Sequence, residues 1–425
     1  MVQIGNSTLP GVSTSVESAT SAGINVGASA QISLVGQADL TSGTASANKV
    51  HSVRTPVKAR ELFGTGSPLA ENIVDALTEG AYPVYAVAAE GAEVIDEDVS
   101  AQTGTLANVP VSEDADEVTF EVDSEVQETV RVSSDPADAD LDAGQTAYNP
   151  TTGEYAHDVV PSTSGNTTYT HYDYASAVGA IETERAEVVD FIGVLTETGS
   201  VVQEAHDAAL RMAGNYQFAV AVAGAASHIE DKGAFTNSYD SSRIQLLYPS
   251  RNAAGDSIVG SYLGLRAALG INNSPMFKRL QTQNRLSETL AKAEQESLIV
   301  EKIVPVANDS RGARIVEDLT CVADDNTEED AMRQVLHRLI IDYVTEITNE
   351  VSEKYVGELH TQAARNSLRS NIVARLGGLM DMNAITAYVV TVEPVDAMTA
   401  SVDVGVDTIN PLRNINATVT AGAVA

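Results

Sequence analysis

"TPVKARELFGTGSPLAENIVDALTEGAYPVYAVAA", residues 55–89, carries helix and strand signals back to back. Leu69, Ile73, Val74 and Leu77 recur at helical spacing, and Gly80 is placed to stop that helix. "YPVYAVAA" follows as a short continuous apolar run, which suits a strand buried on both faces. A helix feeding a buried strand is the repeating unit of an α/β fold. The same alternation resumes after Tyr174. Helical patterns near 176–192 and 198–213 lead into the apolar run "QFAVAVAG" and then "RIQLLYPS", and a further helix is expected around 285–298. "VEKIVPVANDSRGARIVEDLTCV" reads as two strands joined by a turn at Asn308 to Gly312.

Composition changes sharply between these two α/β stretches. From Glu90 to Asp142 there are 17 acidic residues and one basic residue, Arg131. "VTFEV" and "TVRVSSDP" alternate like strands with solvent-facing charges, and "YNPTTGEY" is a turn signal. Residues 93–171 therefore read as an inserted, outward-facing β-rich domain. The first fifty residues, rich in Ser, Thr, Gly and Ala, suit an extended arm followed by loosely paired strands. Towards the other end, a long helix is expected to start near Thr327, with Thr327 and Asp330 as a capping box. Met332, Leu336, Leu339, Tyr343, Ile347 and Val351 form its apolar stripe. A second amphipathic helix is expected over 361–376, stopped by Gly377–Gly378. Three strands follow: "AITAYVVTVEP", "ASVDVGVDT" and "NINATVTAGAVA". The chain divides into an arm (1–30), an α/β core (31–92 and 172–322), the insert (93–171) and a C-terminal domain (323–425).

The chain carries 59 acidic against 25 basic residues, a formal net charge of -34. An apolar share of 43% argues against disorder for most of it. At molar salt the Debye length falls to roughly 3 Å, so such a surface stops repelling itself. The composition thus points to a halophilic source, an archaeon or one of its viruses. It also disfavours direct nucleic-acid binding, for which no basic cluster is present. No secretory signal is expected from "MVQIGNSTLPG", and the run from Phe218 is too short to span a membrane.

No residue set announces catalysis. The seven histidines are scattered, His337 reads as a packed helix residue, and Cys321 as a buried structural thiol. "DADLDAG" at 138–144 lacks the glycine and terminal acid of a calcium loop, so it reads as a solvated acidic loop. No phosphate loop, dinucleotide fingerprint or nucleophile elbow occurs. The expectation is a protein that is not an enzyme, with no cofactor and no metal.

The order of several motifs resembles the contractile tail sheath proteins of tailed viruses and related injection machines. The motifs are "LPGVSTSVE" near residue 9, the 55–87 stretch, "SRIQLLYPSRNAAGDSIVGSYLGLRAALGINNSP" (242–275), and "RGARIVEDLTCV" (311–322) followed by the long helix with Arg338 and Asp342. The likeness spans the core and both ends, and leaves out 93–171. It implies an α/β subunit that polymerises helically around a tail tube and meets baseplate and terminator proteins. The particle would be a virion tail or an extracellular injection device, with no membrane insertion. It also implies strand exchange between subunits, in which Val12, Thr14 and Val16 of one terminus and Ile415, Ala417, Val419 and Ala421 of the other complete a neighbour's C-terminal sheet. Arg365 and Arg369, four apart on the 361–376 helix, become candidate tube contacts. The rival readings are a tail tube or surface-layer subunit, and, more remotely, an enzyme.

Overall fold

The computed structural model describes residues 30–184, 189–269, 273–327, 329–381 and 385–408. The chain opens with β1 (Ile32–Gly36), β2 (His51–Val53), α1 (Pro56–Phe63), α2 (Pro68–Glu79) and β3 (Val84–Ala88). Local chemistry sets both helices. Thr55 and Ser67 cap their N-termini, Pro56 and Pro68 stand in the first turn, and Gly80 closes α2 at a φ of 119°. Eight strands follow: β4 (Glu90–Asp98), β5 (Thr103–Thr105), β6 (Val118–Val122), β7 (Glu125–Val126), β8 (Glu128–Arg131), β9 (Gln145–Tyr148), β10 (Glu154–His157) and β11 (Gly165–Asp173). The α/β pattern returns with α3 (Tyr174–Glu184), β12 (Phe191–Val194), α4 (Gly199–Gly214), β13 (Val220–Gly224), β14 (Ile244–Tyr248), α5 (Val259–Leu269), α6 (Lys292–Val300), β15 (Ile303–Asp309) and β16 (Gly312–Ile315). Last come α7 (Val335–Glu353), α8 (Gln362–Asp381), β17 (Ala387–Pro394) and β18 (Ala400–Asp407).

An eight-stranded sheet in the order β16-β15-β14-β13-β12-β1-β3-β2 forms the centre. Its six inner strands are parallel, and β2 and β16 run antiparallel at the edges. Alternate residues feed two cores, as the period of a strand requires. Leu34, Ala86, Phe191, Val222 and Val304 face α1, α2, α5 and α7. Val35, Val87, Ile192, Ala221 and Leu246 face α3, α4 and α6. Strands β4–β11 make two four-stranded sheets, β5-β10-β9-β8 and β4-β11-β6-β7. These close on their own core of Val111, Val118, Phe120, Tyr148, Tyr155 and Tyr169. In β6 the alternation is clean: Val118, Phe120 and Val122 are buried while Thr119 and Glu121 are exposed. At the C-terminal end β17 and β18 pair as a hairpin against α8, whose Leu368, Ile372, Leu376 and Leu379 are buried.

Several sequence expectations need correction. The "loosely paired" strand near residue 32 is β1, buried at all five positions between β3 and β12. The helix expected over 176–192 ends at Glu184 among the described residues, because "FIGV" is needed as β12 in the sheet. The helix expected from 285 begins at Lys292. The preceding residues form bends and an isolated bridge, with Leu286 N–H donating to Asn308 Oδ1 and Ser287 N–H to the Arg251 carbonyl. The long helix begins at Val335 and not near Thr327. The Met332 and Arg333 carbonyls are taken by Thr320, and Asp324 and Asp330 are bound to Arg333, so this segment has no free ladder to offer. The second helix runs through Gly377–Gly378 to Asp381, since Leu379 still has apolar surface to bury.

Candidate functional site

In a doubly wound sheet, ligands bind beyond the carboxyl ends of the parallel strands, near the point where strand order reverses. Here that point lies between β1 and β12. The residues that follow these strand ends are Gln37 after β1, Glu197 after β12, Ser227 after β13, and Ser250 and Arg251 after β14. The insert fills the crevice with its own backbone and side chains. Gln37 Nε2 donates to the Val111 carbonyl at 2.8 Å, and Glu113 N–H donates back to Gln37 Oε1 at 2.7 Å. Thr198 Oγ1 donates to the Thr151 carbonyl at 2.9 Å, and Thr151 Oγ1 to Glu197 Oε2 at 3.1 Å.

At the centre stands Arg251. Its Nη2 reaches Glu197 Oε2 at 2.6 Å and Glu113 Oε1 at 3.0 Å, with side-chain exposures of 3%, 1% and 4% for Arg251, Glu197 and Glu113. Ser250 Oγ donates to the other Glu197 oxygen at 2.7 Å. Burial works against the Glu197 charge, but Arg251 and the two hydroxyl donors outweigh it and hold the carboxyl below its ordinary value. Burial opposes the Arg251 charge too, and Glu113 and Glu197 hold it protonated. A cavity of about 330 Å³ remains beside this cluster, lined by Arg131, Ser133, Asn149, Ser227, Arg251 and Ser287 among others. The lining holds hydroxyls and amides but no histidine, carboxylate or thiol to activate one. Asn149 Nδ2 is already bonded to Ser133, Ser134 and Ser227, and Arg131 to the Glu113 and Ala254 carbonyls. The place where this architecture usually does chemistry is a seam between insert and core.

A second buried seam joins core to C-terminal domain. Asp342 of α7 accepts from Arg243 Nη2 at 2.6 Å and also from Arg338 one helical turn earlier, and all three side chains are nearly enclosed. Arg243 also lies over the Phe218 ring, 5.2 Å from its centre. The four-residue spacing of Arg338 and Asp342 was visible in the sequence; Arg243, Arg251, Glu113 and Glu197 gave no signal, because their partners lie far away in the chain.

Of the residues singled out from sequence, His337 is buried in α7. Burial pushes the Cys321 thiol up to about 12. Iodoacetamide is therefore expected to leave the folded protein unmodified and to label it only after unfolding, read by mass spectrometry. Rapid labelling of the folded chain would contradict this. The 138–144 loop is mostly exposed, and among the described residues no group of three or more acidic, His or Cys side chains is placed to hold a metal. Arg369 Nε donates to the Val390 carbonyl at 2.8 Å, and Arg365 bonds Gln362 Oε1 at 2.9 Å and sits 3.3 Å from His360 Nε2. Both arginines are thus tied to their own domain. Val12, Thr14, Val16, Ile415, Ala417, Val419 and Ala421 lie outside the described residues. The hairpin they were expected to join is described: β17 and β18 pair with each other over eight residues, and among the described residues neither outer edge has a strand partner.

No family model matches the chain, and no curated protein matches it. Solved structures do. The helical sheath of the anti-feeding prophage in its contracted state superposes with a TM-score of 0.58 at 14% identity, covering 98% of this chain and 99% of that one. The chain has the contractile-sheath fold. The sheath complex of the PVC extracellular contractile injection system, also contracted, gives a TM-score of 0.57 at 14% identity over 98% of both chains. The sheath tail protein of Desulfitobacterium hafniense gives 0.53 at 12% identity, covering 94% of this chain and 100% of that one. The mixed α/β architecture expected from the sequence is therefore a sheath architecture in three dimensions, and the likeness covers nearly the whole of this chain.

Proposed function

We propose that the chain is the repeating subunit of a contractile sheath, polymerising around a tail tube and contracting when a baseplate triggers it. The observation that carries this reading is the match over 98% of the chain to contracted sheath structures. Two features of the molecule support it. The switch-point crevice is occupied by the ion-paired Glu113, Glu197 and Arg251, which supports a mechanical body over an enzyme. The β17–β18 hairpin is a two-stranded sheet, which is marginal alone and gains from added strands. In this reading those strands come from neighbouring copies, through Val12, Thr14 and Val16 at one end and Ile415, Ala417, Val419 and Ala421 at the other. A heterologous contact of that kind repeats without closing, which suits a helical array. The C-terminal domain would face the tube, with Arg365 and Arg369 in reach of it. The acidic insert would decorate the outside, where molar salt screens its charge. The particle is a virion tail or an extracellular injection device, and its source a halophile.

Negative-stain microscopy of the purified protein in molar salt is the test. Wild type is expected to form tubes or rings. Removing residues 414–425 should abolish them and leave a folded, soluble monomer. Proline at Thr418 or Val419 deletes one ladder donor and should have the same effect. Normal tubes from the proline variants would exclude strand exchange, and a wild type that never assembles under any salt would count against the sheath reading itself.

A further inference from the structure

On the sheet face opposite α3 and α4, helices α2 and α5 meet with their backbones in contact. A Cβ at Gly260 would lie 2.4 Å from the Asn72 carbonyl oxygen, and one at Gly264 would lie 2.5 Å from that of Ala76. Asp75 and Glu79, one turn apart on α2, point into this crossing and meet Ser261 of α5 and the connection at Thr282 and Gln283. Glu79 is 4% exposed, and its Oε2 is buried without a hydrogen-bond partner.

Three oxygen–oxygen contacts run in a row between the two carboxylates. Glu79 Oε1 is 3.0 Å from Thr282 Oγ1, Thr282 Oγ1 is 2.9 Å from Ser261 Oγ, and Ser261 Oγ is 3.0 Å from Asp75 Oδ2. Each contact needs one hydrogen, and the two hydroxyls supply only two. The neighbouring N–H groups are spent elsewhere. Gln283 Nε2 donates to Asp75 Oδ2 at 2.7 Å and to Ser261 Oγ at 2.8 Å, and Thr282 N–H donates to Glu79 Oε1 at 2.7 Å. The third hydrogen has to come from a carboxyl group.

Charge leads to the same place. Of the basic side chains on the packed elements, Lys58 of α1 pairs with Glu61, Arg60 of α1 with Glu71, Arg266 of α5 with Asp318, Arg279 with Asp309 and Lys278 with the Ser274 carbonyl. The exposed Arg285 is not among the groups that act on either carboxyl. The remaining charged groups that act on Asp75 are Glu71 and Asp256, both acidic. The strands beneath, β1, β3, β12 and β13, contain no charged residue. Two carboxylates share a half-dry crossing with no cation, and two like charges there are costly.

We propose that Asp75 and Glu79 share one proton through the Thr282 and Ser261 hydroxyls, a pH-sensitive clasp that fastens α2, α5 and the 282–283 connection together. With the proton on Glu79 the chain reads from Glu79 O–H to Thr282, from Thr282 O–H to Ser261, and from Ser261 O–H to the Asp75 carboxylate. Every contact then carries a hydrogen, and the crossing holds one negative charge in place of two. Burial supports this by pushing Asp75 up to about 6 and raising Glu79 as well. The sign follows. Both groups are raised in the fold above an unfolded value of roughly 4, so the folded state keeps its proton longer than the unfolded chain. The clasp's contribution is complete below about pH 4 and is lost as pH rises through about 6.

The test is the unfolding free energy of the full chain by urea titration in molar NaCl, from about pH 4 to about pH 8. Wild type is expected to lose about a hundredfold in its folding equilibrium constant through this pair across that range. Glu79→Gln, which carries no titrating proton, should lose this step and gain on wild type as pH rises. Asp190 is also pushed up, by burial, to about 7, and its contribution cancels in the comparison. Thr282→Ser keeps the relay and should keep the step, whereas Thr282→Val removes the middle hydroxyl and should lose it. These two variants decide the matter if Glu79→Gln fails to fold. Parallel pH profiles for wild type and Glu79→Gln, or for Thr282→Ser and Thr282→Val, would overturn the proposal. So would a stability that depends on Na⁺ against tetramethylammonium at equal ionic strength and loses that dependence in Glu79→Gln, since a bound cation would then occupy the proton's place.

Discussion

Asp342→Ala is expected to lower the unfolding free energy by roughly 3–5 kcal/mol. The carboxylate is the common partner of Arg243 and Arg338, and the substitution would leave two guanidinium groups buried side by side. Burial and the neighbouring Arg243 already push the Arg338 guanidinium below its ordinary value, with Asp342 opposing them. Losing that carboxylate removes the group that makes its charge tolerable. Arg338→Met should cost less, because the two-point Arg243–Asp342 pairing survives and the new side chain fills similar space. Urea unfolding in molar NaCl, followed by tyrosine fluorescence because the chain has no tryptophan, checks both variants. An Asp342→Ala cost below about 1 kcal/mol, the range of an exposed pair, would mean that the seam is solvated in solution.

Arg251→Ala is the second large effect, again roughly 3–5 kcal/mol, with the opposite charge left behind. Buried Glu197 would be left without a cation, and Glu113 would keep only the longer 3.5 Å contact to Arg131. Glu113→Gln is the informative companion. Arg251 keeps Glu197 at 2.6 Å in that variant, so only one partner is weakened and the expected loss is about 1–3 kcal/mol. The two variants also differ in where the damage falls. Arg251→Ala should loosen the insert against the core, and hydrogen exchange should rise together at Val111–Glu113 and at Ser250–Arg251. Protection that stays unchanged on both sides would show that the seam contributes little to holding the insert.

Several elements were legible because their signals are local. Leu69, Ile73 and Leu77 mark one helix, Gly80 ends it, and "YPVYAVAA" supplies a strand whose residues Val84–Ala88 are all buried. Where local signals conflicted with global demand, the sequence misled. Thr327 and Asp330 have the spacing of a capping box, but Asp330 bonds Arg333 and the helix waits until Val335. Gly377–Gly378 looks like a stop, but the burial of Leu379 carries α8 past it.

The sequence by itself determined the alternation of helices and strands, the acidic β-rich insertion and the negative surface, because these follow from periodicity and composition. Only the tertiary structure decided that "ISLVG" lies in the middle of the sheet, that Glu113 reaches Arg251 across 138 residues, and that Arg243 reaches Asp342 across 99. It also decided that Glu113 of the insert enters the usual ligand crevice and pairs there with Arg251. A buried ion pair is specified by the solvent its neighbours exclude and by the geometry of elements far apart in the chain, and neither quantity is written in any short stretch of residues.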